Sequence, residues 1–340
     1  MFSLSICIPS YNRPKELKRL LDSIKLDHYL FDYEIIVADD CSPSQEEITV
    51  IVESQSKRIK YIPSNANIGF DENAILLAKA STKDYLLYVA DDDVVNSEYF
   101  KNLFEFLEIN KPAILVSSYM FINDKNIIRK KPYNWNNKLY KSSHYTKAIY
   151  SLIFLSGLII SREELLNLLP LDVKGLIYSQ VYWGLLIADR KGLEYFTNPL
   201  ITVVGDGANG WGTNSGEPKN ILLSDRNLLF SPISYHLSLF RVIRLLQNRI
   251  SKRFIDNFSI SYSFRSYQLF HRAFLIGGRK ATIIFFKKLY LARKEIKFNF
   301  FIVLVIFLLV LMNGSVLNHL FIKLTGYTPA NLLKRIRGGV

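Results

Sequence analysis

The chain has 340 residues, enough for one large domain or two smaller ones with an ample core. Hydrophobic residues make up 49% of it and aromatic residues 14%, which excludes an intrinsically disordered protein. Its net charge of +13 is unevenly placed: Leu237 to Val340 carry 18 Lys and Arg against only Asp256 and Glu295, while the first 236 residues are net −3. An anionic partner, a membrane surface or a nucleic acid, is therefore expected for the last third alone.

Met1-Phe2-Ser3-Leu4-Ser5 lacks a basic region followed by an apolar run, so no secretory signal is expected. Residues 3–8 alternate in polarity and read as a strand. Pro14 opens a helix, where its missing N–H costs nothing, and Leu17, Leu20, Leu21 and Ile24 give that helix one buried face. A second strand, Glu34–Ala38, ends at Asp39-Asp40, and Ser44 with Glu47 forms a capping box for the next helix. A short strand at 59–62 leads through an Asn/Gly stretch to a helix ending near Ala80. The strand at 85–90 runs into Asp91-Asp92-Asp93, and a helix follows near 97–109. Cys7 on a buried strand and Cys41 on a loop form neither a disulfide framework nor a metal-ligand spacing, and both suit a reducing compartment.

Strands alternating with helices predict a mainly parallel sheet covered on both faces, with its ligand crevice outside the carboxyl ends of the strands. Three polar clusters fall at those ends: Pro9-Ser10-Tyr11-Asn12, Asp39-Asp40 and Asp91 to Asp93. Three successive carboxylates repel one another unless a cation or strong donors offset them. Oxygen ligands at the mouth of a sheet suit Mg²⁺ or Mn²⁺, which in turn neutralise a diphosphate. An isolated Asp-Asp-Asp reads as a solvated acidic turn; in company with the other two clusters it reads as a nucleotide-diphosphate site. A dinucleotide-binding dehydrogenase is excluded, because the first strand–helix turn lacks Gly-x-Gly-x-x-Gly.

Beyond residue 113 the pattern is mixed. Ile114-Leu115-Val116 and Leu152–Ile160 read as buried strands, the latter interrupted by Ser156-Gly157. Residues 205–218 hold five glycines and a proline around Trp211, and are expected to be a mobile loop, either a plain linker or a lid that closes over substrate with Trp211 as an apolar platform for a sugar ring. From about Asn220 the chain reads as helices rich in aromatic and basic residues. The apolar run at 300–312 spans about 20 Å as a helix, short of the roughly 30 Å hydrocarbon core. Basic residues flank it on both sides (Lys287, Lys288, Arg293, Lys294, Lys297, then Lys334, Arg335, Arg337), without the asymmetry of a spanning helix. An interfacial or re-entrant segment on an anionic membrane surface is expected, and no nucleic acid.

Ile8-Pro9-Ser10-Tyr11-Asn12-Arg13, Val37-Ala38-Asp39-Asp40-Cys41-Ser42, Asn67-Ile68-Gly69 with Asn73, and Asp91-Asp92-Asp93 stand in an order and spacing that resembles the family 2 glycosyltransferases of the GT-A fold. The resemblance covers roughly residues 3–100. Ile68-Gly69-Phe70-Asp71-Glu72-Asn73 and the basic, apolar C-terminal part are similar to the abequosyltransferase-type enzymes of O-antigen assembly. The fold it implies is α/β: a GT-A-like mixed, mainly parallel sheet flanked by helices, followed by a helical membrane-associating C-terminal region. The division expected is a catalytic domain at 1–204, a flexible loop at 205–218 and a basic helical region at 219–340, with its membrane-associating segment at 298–322.

The resemblance also implies roles. Pro9 and Tyr11 border the nucleobase, and Asp39, with Asp40 beside it, accepts a hydrogen bond from base or ribose. Gly69 lets the backbone approach the donor and Asn73 orients it. Asp91 or Asp92 holds the ribose or the metal, and Asp91 and Asp93 are the expected ligands of Mn²⁺ or Mg²⁺. Inverting members carry a downstream acidic pair that deprotonates the acceptor, but Ile177–Trp183 contains no carboxylate. The nearest candidates are Asp172, Asp189 and Asp206, of which Asp189 is included with Asp91 and Asp93 in the expected catalytic set, and inversion or retention stays open. The expected activity is transfer of a sugar from a nucleotide-sugar donor, a CDP-3,6-dideoxyhexose first and a UDP- or dTDP-hexose second, to a polyprenyl-linked oligosaccharide acceptor. The expected location is the cytoplasmic face of the inner membrane, peripheral or monotopic. A non-catalytic membrane-surface scaffold is the competing reading.

Overall fold

The structure is a computed structural model, and it describes residues 2–26, 31–55, 59–123, 126–130, 149, 151–204, 234–264, 266–294 and 296–312. The chain forms two units, Met1–Val204 and Gly205–Val340. Trp211 and the rest of 205–218, Asp206, and residues 313–340 lie outside the described residues.

The first unit is built on one sheet of nine strands: β1 (Leu4–Ser10), β2 (Tyr33–Asp39), β3 (Ile59–Pro63), β4 (Tyr85–Tyr88), β5 (Val94–Val95), β6 (Ile114–Asn123), β7 (Asn126–Lys130), β8 (Leu158–Ser161) and β9 (Glu194–Val203). Their order is β3-β2-β1-β4-β8-β6-β9-β5, with β7 paired to β6. β1 and β2 are buried almost throughout, because helices cover both faces. On one face Leu4, Ile6, Ile8, Ile35, Val37 and Leu87 pack against Leu17, Leu20 and Leu21 of α1 (Pro14–Ser23), Ile48 and Val52 of α2 (Gln45–Glu53), and Phe100, Leu103 and Leu107 of α4 (Phe100–Asn110). On the other, α3 (Phe70–Ala80) lies against β1 and β2 through buried Ala74, Leu77 and Ala78. Further along the chain, α5 (Arg162–Leu166) follows β8, and Trp183 of α6 (Ser179–Lys191) packs on Tyr88, ring centroids 5.7 Å apart.

Three expectations are corrected. The sheet is not mainly parallel: β1–β2, β1–β4, β2–β3 and β6–β9 are parallel, and β4–β8, β6–β8, β5–β9 and β6–β7 are antiparallel. The parallel block is the N-terminal one, and β8 enters it reversed. The apolar run at 152–160 is not one strand, since residues 151 and 152 are helical and β8 begins only at Leu158. The cause is Gly157, whose φ of +85° breaks the extended chain where Ser156 turns toward the end of β4. Ser44 does stand at the start of α2, but its hydroxyl donates to Asn12 Oδ1 (3.1 Å) and its oxygen accepts from no helix N–H, so the capping box does not form.

The second unit is helical where described: α7 (Ser234–Leu246), α8 (Lys252–Ser263), α9 (Ser266–Leu291) and α10 (Phe300–Met312). Aromatic rings interlock its helices, with Phe286 and Phe307 stacked at 4.0 Å and Phe270 edge-on to Phe285. Val303, Ile306, Phe307 and Val310 bury one side of α10, while Phe301, Val305 and Leu308 stay exposed on the other. No helix among the described residues is long and apolar enough to cross a membrane.

Candidate active site

β1 lies between β2 and β4 and runs parallel to both, so three strand ends open on the same rim: Ser10 to Arg13, Asp39-Asp40, and Asp91 to Asp93. Asn12 takes a left-handed φ of +55°, which a short amide tolerates, and its N–H donates to Ser42 Oγ (2.7 Å). The Ser42 hydroxyl donates in turn to Asp39. Gln45 Nε2 and the Tyr61 hydroxyl also reach Asp39, each at 3.2 Å, and the carboxylate is fully buried.

Asp40 serves a different purpose. Its two oxygens accept the N–H groups of Ile68 (2.6 Å) and Gly69 (2.9 Å), and Asn67 Nδ2 donates to its carbonyl. The carboxylate therefore fixes the Asn-Ile-Gly stretch at the start of α3, and burial raises its pKa against the pull of those two amides. Gly69, at φ +86° and ψ 157°, occupies a region open essentially to glycine alone. Asn73 is not a surface amide. It is 1% exposed, and its Nδ2 donates to Ala38 O (2.9 Å), holding the end of β2. Pro9 is half-buried, and the Tyr11 ring beside it is 49% exposed, a free aromatic face on the rim.

The acidic turn is resolved into three unlike carboxyls. Asp91 Oδ2 accepts from Ser10 Oγ (3.0 Å) and the Tyr11 N–H (3.3 Å), and Asp91 Oδ1 from Arg13 Nη1 (2.9 Å). The same Nη1 stands 2.8 Å from Asp92 Oδ2, so one nitrogen bridges two carboxylates. Arg19 Nη2 donates to the Asp92 carbonyl (2.6 Å). Asp93 turns inward: it is 3% exposed and accepts the hydroxyl of Ser156, whose oxygen also receives the Ala90 N–H (2.9 Å). Burial pushes the Asp91 carboxyl up to about 6, despite Arg13, and Asp93 up to about 7.

Asp91 was expected to share a metal with Asp93; the structure brings Asp91 together with Asp92 instead. Oxygens from these two residues converge on one point, now held by Arg13 Nη1. Among the described residues no cluster of three or more His, Cys, Asp or Glu is placed to hold a metal. Two convergent carboxylates fit the way Mg²⁺ and Mn²⁺ are held beside phosphates, by one or two protein oxygens with the rest from substrate and water. Asp91 and Asp92 would hold such an ion, and it would neutralise a diphosphate.

The structure sets the expected downstream carboxylate, Asp189, far along its helix. Asp189 lies near the C-terminal end of α6, about 15 Å along the helix from its start at Ser179, and β9 then sets out from the opposite end of the sheet. Asp172 is exposed. The carboxylate that does reach the start of α6 is Asp71 of α3, which accepts the N–H groups of Ile177 (2.8 Å) and Ser179 (3.2 Å). Sequence reasoning assigned no role to Arg13, Ser156 or Asp71. Arg13 was visible as part of the first motif, and Ser156-Gly157 as an interruption of an apolar run.

Comparison with known proteins agrees with this geometry. The chain is 35% identical over 107 residues to an uncharacterized glycosyltransferase of Haemophilus influenzae, a match that covers 32% of this chain and 35% of that protein. It is 25% identical over 240 residues to the abequosyltransferase RfbV of Salmonella typhimurium, covering 65% of this chain and 71% of that one. Residues 1–349 of S. aureus TarS, solved in complex with UDP, share the fold at a TM-score of 0.56 and 16% identity, over 78% of this chain and 72% of that one. Residues 5–166, which carry all three strand ends of the site, match the family described as Glycosyl transferase family 2.

Proposed function

We propose that this chain transfers a sugar from a nucleoside-diphosphate donor to a hydroxyl of a lipid-linked oligosaccharide during assembly of a surface polysaccharide. The observation that carries the reading is the convergence of Asp91 and Asp92 on one point beside Ser10–Arg13, at the ends of three parallel strands. On this reading Tyr11 and Pro9 border the base, and Asp39, positioned by Ser42, Gln45 and Tyr61, faces base or ribose. Asp40 and Asn73 shape the floor rather than touch the donor. A divalent ion on Asp91 and Asp92 would supply Lewis-acid stabilisation to the departing diphosphate.

The donor proposed first is a CDP-3,6-dideoxyhexose, because the similarity to RfbV runs over 240 residues and well past the nucleotide-binding part. A UDP- or dTDP-hexose is the second choice. No carboxylate stands in Ile177–Trp183 at the head of α6, and Asp71 is spent on two amides there, so a base for inversion is not supplied by this helix. That favours a mechanism without such a base.

Calorimetric titration of the full chain with CDP, UDP, GDP and dTDP, each with and without Mn²⁺, tests the reading. One nucleotide should bind in a metal-dependent manner, and Asp92→Asn should weaken it at least tenfold. CDP as the ligand supports the dideoxyhexose donor, and UDP or dTDP the alternative. Binding of none of the four would overturn the enzyme reading in favour of a scaffold.

A further inference from the structure

Arg13 sits where a divalent ion would have to sit. Its Nη1 lies 2.9 Å from Asp91 Oδ1 and 2.8 Å from Asp92 Oδ2, and its side chain is only 16% exposed. A metal ion within about 2.1 Å of the same two oxygens would overlap that nitrogen and face its positive charge. Arginine and ion therefore exclude each other at this point.

The charge balance sets an order of events. Two carboxylates with one guanidinium sum to one negative charge, and adding a divalent ion beside that guanidinium would turn the sum to one positive charge. A diphosphate reverses that sign, welcoming both the ion and a displaced guanidinium. Arg13 is also the N-cap residue of α1, where the helix N-terminus disfavours cations and favours phosphate. The contact is built for exchange, because a single nitrogen is shared between two carboxylates, without the two parallel bonds of a bidentate fork.

We propose that Arg13 is a resident counter-cation that keeps divalent metal off Asp91 and Asp92 until a nucleoside diphosphate arrives, and then moves onto the diphosphate. This rests on reading the acidic turn as a nucleoside-diphosphate site. The consequence is ordered, mutually dependent binding: the bare protein ignores the ion, and ion and nucleotide enter together.

The test is Mn²⁺ binding, read from the loss of the free-ion electron paramagnetic resonance signal, on the full chain without and with CDP or UDP. Wild type should hold Mn²⁺ at least tenfold more tightly with the nucleotide than without it. Arg13→Met and Arg13→Gln should bind Mn²⁺ at least tenfold more tightly than wild type when no nucleotide is present, and adding Asp92→Asn should remove that gain. A thermal melt identifies which of the two Arg13 variants is folded and usable. Unchanged Mn²⁺ affinity in a folded Arg13 variant, with metal-dependent nucleotide binding intact in wild type, overturns the counter-cation role alone. Absence of Mn²⁺ and nucleotide binding in wild type overturns the site reading as well.

Discussion

Asp71 is a buried carboxylate that belongs to one helix and serves another. It lies in the first turn of α3 yet accepts the N–H groups of Ile177 and Ser179, two of the donors left without partners where α6 begins. Burial pushes it up to about 6, above the usual carboxylate range, even with those amides favouring the charged form. A carboxyl raised in the folded state stabilises most when protonated. Its contribution is complete below the unfolded value near 4 and is lost as pH rises through about 6. Asp71→Asn removes the titration and keeps the shape. The stability advantage of wild type over the variant, measured by urea unfolding, is therefore expected to be largest near pH 4 and to shrink by roughly 2 to 3 kcal/mol by pH 7. An advantage independent of pH would show that the carboxyl does not titrate in this range. Ser156 poses the complementary case. Its single hydroxyl serves both Asp93 and the Ala90 N–H, so Ser156→Ala strands two buried groups and is expected to cost about 2 kcal/mol or more in thermal unfolding.

At the scale of elements, the decisive junction is the entry to β8. Gly157 holds a φ of +85°, its N–H donates to Tyr88 O and its carbonyl accepts from Ser117, so it ties β4 to β6 across β8. A Cβ there would stand 2.1 Å from Ser117 Oγ. At Gly69 the same added carbon meets nothing within 4 Å, and only the backbone conformation resists it. Gly69→Ala is therefore expected to cost about 1 to 3 kcal/mol, and Gly157→Ala more, by chemical denaturation of the two variants side by side. Equal costs would mean that Ser117 yields freely. This contrast also marks how far the sequence could be read. β1 to β3 and α1 to α4 were legible because period-2 and period-3.6 patterns are local, and the three polar clusters were legible because each ends a strand. The reversal of β8 was not, since it is set by antiparallel ladders to β4 and β6, strands far away in sequence. Nor was the pairing of Asp71 with the head of α6, 106 residues on. In the acidic turn the sequence names three equivalent carboxyls. Only packing separates Asp91 and Asp92, which share Arg13, from Asp93, which faces Ser156.

At the scale of the whole molecule, the charge division of the sequence follows the two units. The basic one presents apolar and cationic groups together: Phe301, Val305 and Leu308 are exposed on α10, Tyr290 and Leu291 at the end of α9, and Arg293 and Lys294 just beyond. Arg293 lies 3.9 Å from the Tyr290 ring centroid, a cation over an aromatic face. We propose that this surface meets an anionic lipid interface, on which α10, about 20 Å long, would lie. The full chain is accordingly expected to float with vesicles of phosphatidylglycerol and not with neutral ones. The double variant Phe301→Ser with Leu308→Ser should bind at least tenfold more weakly, since two large apolar side chains contribute about 3 kcal/mol or more when buried. Flotation of the double variant equal to wild type would remove α10 from the membrane contact.

The reversed β8 has a further consequence, for the way such a chain can change over time. β6 runs parallel to β4 and passes the end of that strand at Val116, while β8 begins there. β7 folds back along β6 within the sheet, and the chain returns to the head of β8 through Ser156, which holds Asp93. However the connection between β7 and β8 is rewritten in a related chain, it must return to Ser156-Gly157, because the first holds Asp93 and the second has no room for a Cβ.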